Sequence, residues 1–273
     1  MKKTVYKKTI LVGTDYSKSA ENALNYALML AERIKASVLL LHVFEFPIVH
    51  TNSGMYMVDY KQVKKHDLNK LERVKNKALR SFPHASIETI NTTDRIQDVI
   101  KDLAKKKKID MVVLGLETKS AIAKFMQGST GINIASKIDC PVIIVPEKYK
   151  EHELVHAMIT VDNREHIKKR VVDKASRFSK SLKLNTQLVH IKTDDEFLQI
   201  YERNPKKENE KWNIRTQEAK TFDKGVADYV KNNKADMVII FSQSHSAFYK
   251  LFNETNTAKI AFQSKVPVVS IHE

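Results

Sequence analysis

A chain of 273 residues, 42% of them hydrophobic, can bury one or two globular cores, and its six glycines and six prolines exclude a collagen-like or low-complexity polymer. One cysteine, Cys140, excludes an internal disulfide framework, and no apolar run reaches the roughly 18 residues that a membrane helix needs. The net charge of +15 is shared between the halves, about +9 before residue 148 and about +6 after it, so no single segment gathers the excess and a nucleic-acid partner is not expected.

In chain order, residues 1–6 are basic, and a strand pattern follows them rather than an apolar signal segment; a cytoplasmic address is expected. Residues 9–13 read as a short β-branched strand. A helix is predicted from about residue 17, with Ala20, Leu24, Ala27, Leu28, Ala31 and Ile34 at helical spacing. Residues 37–43 are almost continuously apolar, as in a strand buried on both faces of a parallel sheet. A long helical region ends near Ser81, and residues 86–90 make a third strand. Asp94 is the predicted N-cap of a helix over 95–108, whose Ile96, Val99, Ile100 and Leu103 form the inner stripe. The basic run 105–108 closes that helix, where it complements the negative end of the dipole. Strands over 111–114 and 142–145 flank a loop and a helix over 129–137.

The pattern then repeats. Asp110-Met-Val-Val-Leu114 recurs as Asp236-Met-Val-Ile-Ile240, and at the same offset Pro141-Val142 falls on Pro267-Val268. Ile10-Leu-Val-Gly-Thr-Asp15 lies over Ala157-Met-Ile-Thr-Val-Asp162, and Leu41-His42-Val43 over Val189-His190-Ile191. The larger offset at the front of the units places extra chain in the first, near 45–65. The second unit is predicted as a strand over 157–161, a helix over 167–182, strands over 187–191 and 212–216, a helix over 222–232, a strand over 237–241, a helix near 257–263 and a strand over 268–271. Two domains are expected, 1–147 and 148–273, each an α/β unit with an open, mostly parallel sheet.

In open parallel sheets ligands bind beyond the carboxyl ends of the strands, where strand order reverses. Thr14-Asp15, His42-Val43 and the segment from Gly115 lie at such ends. That segment reads Gly115-Leu-Glu-Thr118, nine residues, then Gly128-Ser129-Thr130. A glycine at a strand end admits close backbone approach of a phosphate, and a helix opening at Gly128-Ser129 offers free N–H groups and hydroxyls to an anion. On residues alone, the same glycines read first as turn and capping positions, ahead of phosphate binding.

Gly115-x-x-Thr118-x9-Gly128-Ser129 resembles the nucleotide loop of the universal stress protein family, Gly-x-x-Gly-x9-Gly-Ser/Thr. Val12-Gly-Thr-Asp15-Tyr-Ser17 is similar to that family's opening strand, and Cys140-Pro-Val-Ile-Ile-Val145 to its closing one. The resemblance implies a Rossmann-like fold of the adenine nucleotide alpha hydrolase type and a stress-response regulatory protein binding an adenine nucleotide, ATP or a relative. Asp15, beside Thr14, would contact adenine, and backbone at Val43 would frame the base. Gly115, Thr118, Gly128, Ser129 and Thr130 would hold ribose and phosphates, with Mg only as carried by the nucleotide. Thr118 departs from the family's second Gly; it restricts a positive φ or contributes a hydroxyl.

In the second unit Gly115, Thr118 and Gly128 become Phe241, Ser244 and Glu254, and a carboxylate there opposes phosphate. That unit is expected to be a structural partner. The resemblance implies pairing of the fifth strands, 142–145 against 268–271, which covers sheet edges within the chain and leaves a homodimer open. An unidentified protein partner is expected. A nucleotide-free scaffold is the alternative, and a slow ATP hydrolase ranks third, because Asp15 and Glu117 are the only candidate acids near the loop. Cys140 is expected to be an inert buried thiol. His42 and His190 repeat at equivalent strand ends, which points to packing or hydrogen bonding rather than catalysis. Lys119 and Lys124 are read as solvated surface, and His50, His66 and His84 are too scattered for a metal site.

Overall fold

The computed structural model describes residues 8–44, 50–51, 54–55, 60–106, 108–116, 140–161, 169–193, 212–242 and 265–272. The chain divides into two compact units, Met1–Gly115 and Leu116–Glu273. Both are α/β, with mostly parallel strands.

The first unit runs β1 (Lys8–Gly13), α1 (Lys18–Ile34), β2 (Ala36–Val43), a short hairpin β3 (His50–Thr51) and β4 (Gly54–Met55), α2 (Tyr60–Ser81), β5 (Ile87–Thr92), α3 (Ile96–Lys105) and β6 (Met111–Leu116). Its main strands are ordered β5-β2-β1-β6 and all are parallel, with Ile10 opposite Val38 on one side and Met111 on the other. The apolar runs predicted as strands are central and buried: Ile10, Leu11, Val12, Leu40, Leu41, Val112 and Val113 are fully enclosed. Helix α1 starts where Ser17 Oγ accepts the Ala20 N–H, and its Ala20, Ala23, Leu24, Ala27, Leu28 and Ala31 face inward. It ends on Lys35 at φ 54°, a left-handed position that usually takes glycine.

Asp94 is not the cap of α3. Its carboxylate takes the Thr92 hydroxyl and its own N–H donates to Thr92 Oγ1, which turns the side chain back toward β5 and leaves Arg95 as an N-cap without a side-chain bond. The helix also stops at Lys105, the first residue of the basic run, three residues before the predicted end. The hairpin β3–β4 and the first turns of α2 occupy the segment predicted as extra chain.

The second unit comprises β7 (Val142–Pro146), β8 (His156–Thr160), α4 (Lys169–Ser181), β9 (Asn185–Thr193), β10 (Ile214–Ala219), α5 (Phe222–Asn233), β11 (Met237–Ser242) and β12 (Val268–His272). Strand order is β10-β9-β8-β11-β12-β7; the first five are parallel, and the order of the first four matches that of β5, β2, β1 and β6. Strand β7 pairs antiparallel with β12, Ile143 opposite Val269. This is the pairing expected of residues 142–145 and 268–271. The units divide after residue 115, whereas the sequence repeat divides after 147, because β7 is joined to β12. Strand β10 begins later than predicted: Trp212 and Asn213 form a bend closed by the Ile214 N–H on the Trp212 carbonyl. The helices predicted over 129–137 and 257–263 lie outside the described residues.

The repeated aspartates have one structural job. Asp110 accepts the Thr9 N–H and returns its own N–H to the Thr9 carbonyl. Asp236 accepts the N–H groups of Val155 and His156 and returns its N–H to the His156 carbonyl. In each unit an acid ahead of the fourth strand ties down the start of the first. Cys140 is half-buried rather than enclosed, since it stands in the bend before β7.

Tyr149 follows β7 and is buried, and burial pushes its phenol up to about 12, with the Glu151 and Asp236 carboxylates adding to the rise. A folded-state value above the unfolded one gives stability that is complete below pH 10 and is lost as pH climbs through 12. Urea unfolding from pH 8 to 11.5 should therefore show wild type losing about 2 kcal/mol relative to Tyr149→Phe. Parallel pH profiles for the two proteins would overturn this.

Candidate functional site

Strand β1 is followed by β2 on one side and joined by β6 on the other, so strand order reverses between β1 and β6. The crevice that such a reversal opens lies at the carboxyl ends, where Thr14, Asp15, Val43 and Gly115 all stand. Thr118, Gly128, Ser129 and Thr130 lie outside the described residues.

Thr14 extends the β1–β2 ladder: its N–H donates to the Leu41 carbonyl at 2.9 Å. Its carbonyl accepts from His42 Nδ1 at 2.6 Å and its hydroxyl oxygen accepts the Tyr16 N–H at 3.1 Å. A buried residue with its N–H, carbonyl and hydroxyl all engaged acts as a strut for the turn. Asp15 is exposed, and its Oδ1 accepts the Ser17 N–H at 2.9 Å, so the turn itself orients the carboxylate. Val43 is half-buried in register with Thr92, and the next N–H, of Phe44, continues the ladder to the Thr92 carbonyl.

Gly115 has a packing reason for being glycine that the sequence did not show. A Cβ there would sit 2.2 Å from the Ser19 carbonyl oxygen and 2.8 Å from the Ala20 nitrogen. The first turn of α1 is laid directly on the end of β6, and the missing side chain makes that approach possible.

Beside these residues lies a polar cluster whose aspartate and tyrosine the sequence reading did not single out. Asp67, on the inner stripe of α2 with Val63, Leu71 and Ala78, is 8% exposed. Tyr16 donates its hydroxyl to Asp67 Oδ1 at 3.0 Å, Asn91 Nδ2 donates to Asp67 Oδ2, and His42 Nε2 lies 3.4 Å from Oδ1. The Tyr16 ring packs on His42 at 4.2 Å, with Lys70 Nζ 4.0 Å from its centroid. Burial, then the hydrogen bond to Asp67 and its charge, hold the Tyr16 phenol well above its ordinary range. An acid at a core position of a lysine-rich helix was the available signal for this cluster.

The carbonyl partner of His42 recurs in the second unit, where His190 Nδ1 donates to the Val161 carbonyl at 3.3 Å. Hydrogen bonding at both places agrees with the reading of these histidines as structural. Among the described residues no group of three His, Cys, Asp or Glu side chains converges on a metal site, and no helix is long and apolar enough to cross a membrane.

Residues 7–146 match the sequence model of the universal stress protein family. A universal stress protein of Bacillus subtilis (strain 168), YxiE, is 31% identical over 145 residues, covering 50% of this chain and 97% of that protein. A universal stress protein of Methanocaldococcus jannaschii is 26% identical over 149 residues, 54% of this chain and 86% of its own length. The fold extends further than the sequence match. The crystal structure of a universal stress protein from Archaeoglobus fulgidus DSM 4304 superposes with a TM-score of 0.62 over 97% of this chain and 98% of that one, at 17% identity.

Proposed function

The chain belongs to the universal stress protein family, and from that premise we propose that its first repeat holds an adenine nucleotide, ATP or a related one, in a regulatory protein of the stress response. The observation that carries this reading is the reversal of strand order between β1 and β6, which gathers Asp15, Val43 and Gly115 at one end of the first unit. In this reading Asp15 contacts the base, Val43 frames it, and Thr118, Gly128, Ser129 and Thr130 take ribose and phosphates, with Mg arriving on the nucleotide. The chain is a tandem pair, 1–147 and 148–273, working in the cytoplasm without catalysing a reaction. The second repeat, with Phe241 and Glu254 in place of the loop glycines, serves as the pairing partner through β12 and β7.

Native mass spectrometry of freshly purified protein, followed by titration of the apo form with ATP, tests the reading. Gly128→Glu, which copies the second repeat, should weaken ATP binding at least tenfold, a loss of about 1.4 kcal/mol; unchanged affinity would remove the loop from the site. One observation favours a second reading, a nucleotide-free scaffold: the packing of α1 accounts for Gly115 with no ligand present. An empty protein that shows no thermal shift with ATP would establish the scaffold instead.

A further inference from the structure

Tyr16 follows Asp15 directly and has φ 69°, a left-handed backbone that an aromatic residue adopts only when its surroundings impose it. Thr14 Oγ1 holds the Tyr16 N–H within the turn, and the side chain is held from outside it. The Tyr16 hydroxyl reaches Asp67 Oδ1 at 3.0 Å and the Asp67 carbonyl at 3.3 Å, across 51 residues of sequence. His42 packs under the ring and holds the Thr14 carbonyl; Asn91 fixes the other oxygen of Asp67. One buried carboxylate on α2 thus ties together the β1–α1 turn, the end of β2 and the end of β5. The Asp15 carboxylate, bound to the Ser17 N–H on the far side of Tyr16, points where this backbone sends it.

We propose that Asp67 is a positioning residue for the base-binding end of the site: through Tyr16 it holds the β1–α1 turn in the left-handed form that aims the Asp15 carboxylate. The assignment of Asp15 to the base rests on the function proposed above; the hold on the turn does not. Asp67 touches no ligand in this scheme, so its loss should change which base is preferred more than how tightly phosphates are held. A purely structural acid would lower stability without altering base preference.

The test uses full-length protein with Asp67→Ala, Tyr16→Phe and Tyr16→Gly. Tyr16→Phe removes only the hydroxyl, and Tyr16→Gly relieves the left-handed backbone while cutting every side-chain tie, so both keep the question answerable if Asp67→Ala folds poorly. Two readouts are taken: amide hydrogen exchange at Ser17 without ligand, and the ratio of ATP to GTP affinity. Ser17 exchange should quicken at least fivefold in Tyr16→Phe and Tyr16→Gly while amides within α2 keep their protection, and the preference for ATP should fall at least threefold. Unchanged Ser17 exchange in all folded variants overturns the proposal whether or not nucleotide binds. Should wild type bind neither nucleotide while Ser17 exchange still quickens, the hold on the turn stands and the nucleotide reading falls. An unaltered ATP preference beside quickened exchange overturns the role in aiming Asp15.

Discussion

Gly115→Ala is expected to destabilise the protein by about 2–4 kcal/mol, read as a lower urea midpoint at an unchanged slope. The added methyl would lie 2.2 Å from the carbonyl oxygen of Ser19 and 2.4 Å from its carbonyl carbon. These are backbone atoms of the first turn of α1, so no rotamer change relieves the overlap. The helix must retreat, and it takes with it Ala20, Ala23 and Leu24, all packed into the sheet. Gly13→Ala is the matched control. There the nearest atom is Leu114 Cδ2 at 2.8 Å, the end of a side chain, and the cost should stay near 1 kcal/mol or below. Equal costs at the two positions would mean that α1 does not rest on β6 as described.

A comparable loss is expected at the antiparallel seam of the second unit. Ile143 and Val269 are opposite one another and both are 0% exposed. Ile143→Asn would exchange a filled apolar position for an amide with no partner, combining lost burial with an unsatisfied polar group. A cost of about 4 kcal/mol follows. Ile143→Val, which trims one methylene, should cost about 1 kcal/mol. Calorimetry of the two variants separates the cases: the Asn variant should melt far lower, the Val variant within a few degrees of wild type. A mild effect of Asn would require β7 to be solvated on one face.

Much of this architecture was legible in the sequence. Near-continuous apolar runs such as 37–43 have one stable home, a strand covered on both faces, and most strand and helix limits fall within two residues of the structure. Local hydrogen bonding was harder to read, because it depends on side-chain direction. Asp94 has the composition of a cap, yet Thr92 captures it first. The carboxyl-end residues of the site were also legible, since topology follows from the order of strands and helices. The packing constraint on Gly115 was not, because a helix lying across a strand end leaves no local pattern. Asp67 was visible as an odd acid among the lysines of α2. Its partners Tyr16, His42 and Asn91 are scattered along the chain, and only the folded arrangement of β1, β2 and β5 brings them to it.

The latch between Asp110 and Thr9 spans 101 residues and has a temporal consequence. Closing so long a segment is entropically slow, and it cannot begin on a ribosome before residue 110 has left the exit tunnel. The turn after β1 and the end of β6 therefore meet late in the maturation of the first unit, after α1, β2, α2, β5 and α3 have all been made.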